Sequence, residues 1–220
     1  MSEFTPEELK EILRKHAQWL RKEAGGEQAN FKDADLSGAS LVAAALEKAD
    51  LSGATLEGAT LTAANLTAAI LTGAKAAGAD LSGTTLEGTY LDNATLTGAS
   101  LAKSTLVYTS LKNADLSRAN LAGATVHNAN FTGATMKGAN LSRARFNKSI
   151  LAGVNLQDAD LSGAVFYYVS FSNANLRGAN LQSAHFRDPV LTGADLEGAK
   201  LKGCNLKSSQ LKGIKSNFRN

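Results

Sequence analysis

From Phe31 to Leu211 a large apolar residue recurs at every fifth position without a slip. Of these 37 positions, 28 are Leu and six are Phe (Phe31, Phe131, Phe146, Phe166, Phe171, Phe186); the others are Ala76, Val126 and Met136. Two residues before the centre stands a small residue, as at Ala34, Ala49, Ala119 and Ala179, with Val154, Val169 and Pro189 as departures. One before it is usually polar, often Asp or Asn: Asp35, Asp50, Asn65, Asn120, Asp160, Asn180. Two after it is often Gly. Apart from Gly25 and Gly26, all 18 glycines, from Gly38 to Gly213, keep this phase.

Period five fits neither the helical 3.6 nor the strand period of 2. A helix would spread the centres over all its sides, and a flat strand would send alternate centres to opposite faces. A chain that turns a corner every five residues keeps them all inside. Gly at one phase suits that corner, because it tolerates positive φ. Internal repetition this long predicts stacked units that bury their core only against neighbours.

The phrase Ala-Asp-Leu-Ser-Gly, at residues 34–38, 49–53, 79–83 and 159–163, resembles the pentapeptide-repeat family, and the resemblance runs over residues 30–213. It implies an all-β solenoid, a right-handed quadrilateral β-helix with four pentapeptides to a coil of 20 residues. The 37 repeats then make about nine coils, a rod roughly 45 Å long at ~4.8 Å per coil. Residues 20 apart stack. One interior column is Leu throughout, from Leu41 to Leu201. A second is broken by Ala76, which should leave a gap. A third carries Val126, Phe146, Phe166, Phe186 and Leu206 and predicts an aromatic ladder. Each buried Leu or Phe contributes roughly 1.5–3 kcal/mol, so neither disulfide nor metal is needed. Pro189 has no N–H and is expected to disturb one ladder bond. Cys204, the single cysteine, reads as a small buried thiol.

The ends read differently. Residues 1–29 form a cap and linker: Thr5 as N-cap, Pro6 at N1 and Glu8 closing a capping box. Leu9, Ile12, Leu13, His16, Trp19 and Leu20 follow at helical spacing, and Gly25-Gly26 ends the helix. The helix, roughly 6–22, is expected to cover the first coil, with His16 and Trp19 as packing residues. Its polar face mixes Glu7, Glu8 and Glu11 with Lys10, Arg14 and Lys15, which argues against a membrane surface. Beyond the repeats (30–213), the tail 214–220 offers only Ile214 and Phe218 to cover the last coil. An open coil edge there invites an end-to-end homodimer.

Charge changes the functional picture. Residues 31–115 hold nine acids and five bases, net −4; residues 116–220 hold five acids and thirteen bases, net +8. Some members of the family it resembles protect DNA gyrase or topoisomerase by mimicking DNA, which needs an acidic rod. This chain departs from that pattern, and its scattered bases do not form a nucleic-acid stripe either. No secretory segment or membrane span is legible, so a bacterial-type cytosol is the expected compartment.

No catalytic constellation emerges. His16, His127 and His185 share no metal-ligand spacing, the Asp and Ser residues recur by phase, and no cofactor motif is present. One region breaks the monotony. Val165, Tyr167 and Tyr168 fall at outward phases, stacked with Arg145, His185, Arg187, Asn147, Lys148 and Asp188, while His127 and Tyr108 lie further along the same face. Tyr108, His127, Arg145, Tyr167, Tyr168, His185 and Arg187 are thus the candidate partner-binding face. The sequence reads as a non-catalytic scaffold for an unidentified protein partner. The alternatives are the gyrase protector, disfavoured by charge, and a repeat rod with no selected partner site.

Overall fold

The computed structural model describes residues 4–207, 209–211 and 214. The expected corner at Gly213, the covering role of Phe218 and most of the basic tail lie outside them. Helix α1, Pro6–Leu20, begins with the expected capping box. The Glu8 N–H donates to Thr5 Oγ1 at 3.2 Å, and the Thr5 N–H donates to the Glu8 carboxylate at 2.8 Å. The helix stops two residues short of the expected end, where Lys22 turns to φ 58°. Gly26 then passes so close to the Trp19 backbone that a Cβ has no room. The apolar face of α1 does cover the first coil: Leu9, Ile12 and Leu13 pack on the core, and Phe4 sets its ring edge against Phe31 at 5.7 Å.

From Asn30 the chain is a β-solenoid. Parallel bridges join residues 20 apart, from Asn30↔Asp50 to Asn180↔Lys200. Every centre from Phe31 to Leu196 is buried, as are most of the small residues two before them; Leu201, Leu206 and Leu211 are half-buried at the last turns. The residue two after each centre, from Asp33 to Gly203, has positive φ whether or not it is glycine. The Asp and Asn residues before the centres do more than face solvent. Their side chains accept the N–H two residues on, as Asp50 does from Ser52 at 2.9 Å and Asn140 from Ser142 at 2.9 Å. These are Asx turns that satisfy a corner amide within the repeat.

One side widens into a continuous sheet of five short parallel strands in sequential order: β1 (Thr105–Val107), β2 (Thr125–His127), β3 (Arg145–Asn147), β4 (Val165–Tyr167) and β5 (His185–Arg187). The expected aromatic ladder lies beneath it. Phe146 stacks on Phe166 at 5.3 Å and Phe166 on Phe186 at 5.0 Å, with Phe171 edge-on to Phe166 at 5.1 Å. Ring stacking of this kind adds about 0.5–1.5 kcal/mol per pair beyond area burial.

Pro189 leaves the ladder to the preceding coil intact. Toward the following coil the bonds expected from Asp188 and Leu191, by analogy with Tyr168 to Arg187 and Phe171 to Val190, are missing among the described residues. The Val190 N–H still donates to the Val169 carbonyl at 3.0 Å, and the Val190 carbonyl still accepts from Phe171 at 2.7 Å. At the repeat's other corners the small residue's N–H closes a turn onto the preceding centre, as Ala184 does onto Leu181 at 3.0 Å. The corners after β1–β4 lack that bond at Thr109, Ala129, Ser149 and Val169. Proline therefore occupies a position whose N–H the fold had already ceased to use in this way. Cys204 is half-buried, and burial pushes its thiol pKa up, which favours the inert protonated form.

Candidate partner-binding face

The sheet places alternate residues of each strand outward. Parallel register then stacks Arg145, Val165 and His185 in one column and His127, Asn147, Tyr167 and Arg187 in another. Tyr108, Lys148, Tyr168 and Asp188 follow at the corner beside the sheet. A shallow depression of about 630 Å³ opens over β2–β4, lined by Thr125, His127, Arg145, Asn147, Val165 and Tyr167 together with Val126 and Phe146.

The seven residues fall into linked groups. Tyr108 sets its ring edge-on to His127 at 6.3 Å, at the upstream end. Tyr167 does the same with His185 at 6.1 Å. The Arg187 guanidinium lies 5.4 Å from the centre of the Tyr168 ring, a cation–π contact worth about 0.5–1 kcal/mol at an exposed site. Arg145 stands between the two tyrosine groups on the wall of the depression. Tyr108, Tyr167 and Tyr168 are 62%, 37% and 45% exposed. Tyr108 and Tyr168 also hold φ of 53° and 56°, a left-handed conformation that costs a bulky residue roughly 1–2 kcal/mol.

Sequence reasoning passed over part of this surface. Ile150 and Val190 are exposed on the far side of the Lys148–Tyr168 corner, in one bridged column through Ser170. Ile70 and Tyr90 form a second exposed pair in the same column, nearer the N-terminus. Their signal was present: each is apolar at a phase that is mostly polar. Among the described residues no group of three or more His, Cys, Asp or Glu could hold a metal ion. No helix among them is long and apolar enough to cross a membrane.

The repeat that builds this face is matched along almost its whole length. The sequence profile for pentapeptide repeats (8 copies) matches residues 29–67, 69–106, 99–138 and 109–147, and that of the pentapeptide repeat region matches residues 139–216. The chain belongs to the pentapeptide repeat family. Among solved structures, it is similar to HetL, a pentapeptide repeat protein involved in heterocyst differentiation regulation from the cyanobacterium Nostoc sp. strain PCC 7120. That match has 30% identity, covers 96% of this chain and 97% of that one, and has a TM-score of 0.47. A pentapeptide repeat protein from the cyanobacterium Cyanothece 51142 is 32% identical over 44% of this chain and 64% of that chain, with a TM-score of 0.34. QnrB1, a plasmid-mediated fluoroquinolone resistance protein, is 21% identical over 76% of this chain and 85% of that chain, with a TM-score of 0.35. No curated protein matches the chain at a significant level.

Proposed function

We propose that this pentapeptide repeat protein is a non-catalytic interaction scaffold of a bacterial-type cytosol. It is a right-handed quadrilateral rod of about nine coils that presents one flat face to a protein partner. The observation that carries this reading is the cluster of Tyr167, Tyr168, His185 and Arg187. Its rings and guanidinium contact one another at the surface, outside the packed core. Tyr and Arg are the side chains that most often anchor protein interfaces, and the parallel sheet beneath holds them in fixed register. The gyrase-protector alternative lacks the acidic rod it needs, since residues 116–220 carry thirteen bases against five acids.

The test replaces Tyr167, Tyr168 and Arg187 together with Ser and compares affinity capture from the native host. The variant is expected to keep its circular dichroism spectrum and to lose a partner that the parent captures. An unchanged set of captured proteins would overturn the reading. An end-to-end homodimer through the C-terminal coil belongs to the same proposal. Light scattering is expected to show a concentration-dependent dimer, and a monomer at high concentration would remove that element.

A further inference from the structure

We propose that the depression over β2–β4 receives an acidic protein segment carrying an apolar or aromatic anchor; this rests on the docking reading above and gives the partner its chemistry. Cations gather around it. Arg145 lines it, Arg143 and Lys148 stand at the corners before and after β3, and Arg187 follows Tyr167 in register on β5. Among the described residues Arg143, Arg145 and Lys148 have no carboxylate within ion-pair distance, and Arg187 reaches only Asp188, at 3.8 Å. Some cations elsewhere are neutralised, as Arg177 is by Asp195 and Glu197 and Arg14 by Glu11. Others, such as Lys75 and Lys103, stand singly without an ion pair among the described residues; what marks this site is that several such cations lie together. Four cations facing one carboxylate make an electrostatic surface that steers and orients an anionic partner.

Among these cations the surface is apolar and aromatic. Val165 and Tyr167 line the depression, and Tyr168, Ile150 and Val190 extend exposed apolar area around the corner. A segment seated there sets carboxylates against Arg145 and the neighbouring Arg187, where arginine pairs with them bidentately, and sinks an apolar side chain beside Tyr167. The same layout fits nucleic acid poorly. The cations span three coils, about 10–15 Å, whereas a nucleic-acid groove tracks phosphates along an extended stripe. Exposed aliphatic Ile150 and Val190 interrupt the path a backbone would follow.

The experiment uses the full chain and fluorescence anisotropy of a short labelled peptide that alternates Glu with Leu around a central Trp. Two other probes run beside it: the Lys-for-Glu peptide and a single-stranded oligonucleotide of equal charge. Saturable, salt-sensitive binding of the acidic peptide is expected. Arg145→Glu with Arg187→Glu should weaken it at least about tenfold. Arg118→Glu with Lys137→Glu, in a separate depression with Asp158, should change it by less than about twofold. Equal losses in both double variants would mean diffuse attraction and overturn the site. Tighter binding of the oligonucleotide would overturn the protein partner in favour of nucleic acid. Absence of peptide binding overturns the acidic-segment inference; a photocrosslinker at position 167 that then traps a host protein leaves the docking reading standing, and one that traps none removes both.

Discussion

The Ala29 N–H donates to Nδ1 of His16 at 3.0 Å, in a fully buried contact that ties α1 to the start of the solenoid. Because Nδ1 accepts, the neutral ring carries its proton on Nε2. Nε2 is itself buried without a hydrogen-bond partner, as is Glu47 Oε2. A histidine on an amphipathic face reads as packing, but this one is also the acceptor for an otherwise buried amide.

That contact makes the cap pH-sensitive. Burial holds the His16 pKa below its ordinary value, and the Glu47 backbone and carboxylate offset this only in part. The unfolded chain therefore takes up its proton at a higher pH than the folded chain. The contribution is complete above a pH of about 6.5 and is lost as pH falls from there through the folded pKa. Trp19, the only tryptophan, stacks on His16 at 5.5 Å, so its fluorescence in urea reports this region. The wild type should lose cap stability between neutral and mildly acidic pH. His16→Gln, which keeps an acceptor but does not titrate, should flatten that dependence. His16→Leu should cost about 1–3 kcal/mol by leaving the Ala29 amide unpaired. An identical pH profile in His16→Gln would refute the assignment.

At the other end, Asn205 caps β5 with its side-chain amide. Its Oδ1 accepts the Phe186 N–H at 2.7 Å, and its Nδ2 donates to the Phe186 carbonyl at 2.9 Å. One side chain thus supplies both halves of a ladder contact where backbone pairing gives out, a way of blunting a strand edge. Asn205→Leu should destabilise the last coils by about 1–3 kcal/mol, read as faster amide exchange at Phe186 and its neighbours. Pro189→Ala should be nearly neutral, since the bonds to the preceding coil are kept and the equivalent N–H closes no turn at Thr109, Ala129, Ser149 or Val169. Comparable losses in the two variants would count against this division of roles.

The repeat was legible because a fixed phase reports a fixed environment. Leu41 and Leu61, like Phe146 and Phe166, stack because they stand 20 residues apart at one phase. The failures came where side chains act on backbone. The phase of Asp50 and Asn140 marks them as polar, but a phase cannot say that a carboxylate or amide folds back onto its own corner. The sequence shows that Pro189 lacks an N–H but not that the corners after β1–β4 make no turn bond with theirs. The candidate face was only half legible. Tyr167 and Arg187 stand out by type, whereas Ile150 and Val190 matter through their neighbours across a corner.

Ala76 interrupts an interior column of large residues and is itself buried. The rod is not pinched there. Its N–H reaches the Thr95 carbonyl at 2.7 Å, matching the Leu96 bond to Asp115 at 2.7 Å and close to the Leu56 bond to Lys75 at 2.6 Å. With spacing kept and the side chain short, Ala76→Leu should add buried methylenes in a position the fold elsewhere gives to Leu. A gain of about 1–2 kcal/mol in thermal or denaturant unfolding is expected. A loss of similar size would mean that neighbours have already closed over the space and that the larger residue overpacks it.

Tyr168 separates stability from function. Its φ of 56° is one that glycine adopts at the same phase in many other repeats. Replacing it with Gly relieves roughly 1–2 kcal/mol of left-handed strain. Against this stand the extra chain entropy of Gly, about 0.5–1 kcal/mol, and the lost contact with Arg187, about 0.5–1 kcal/mol. The terms nearly cancel, so Tyr168→Gly should unfold within about 0.5 kcal/mol of the wild type. Partner or peptide binding to the face should fall in the same variant, because the exposed ring beside Arg187 is gone. A Tyr168→Gly chain that is much less stable would place the ring among the supports of the fold and take it out of the docking surface. Unchanged stability with weakened binding is the result that assigns it to the partner.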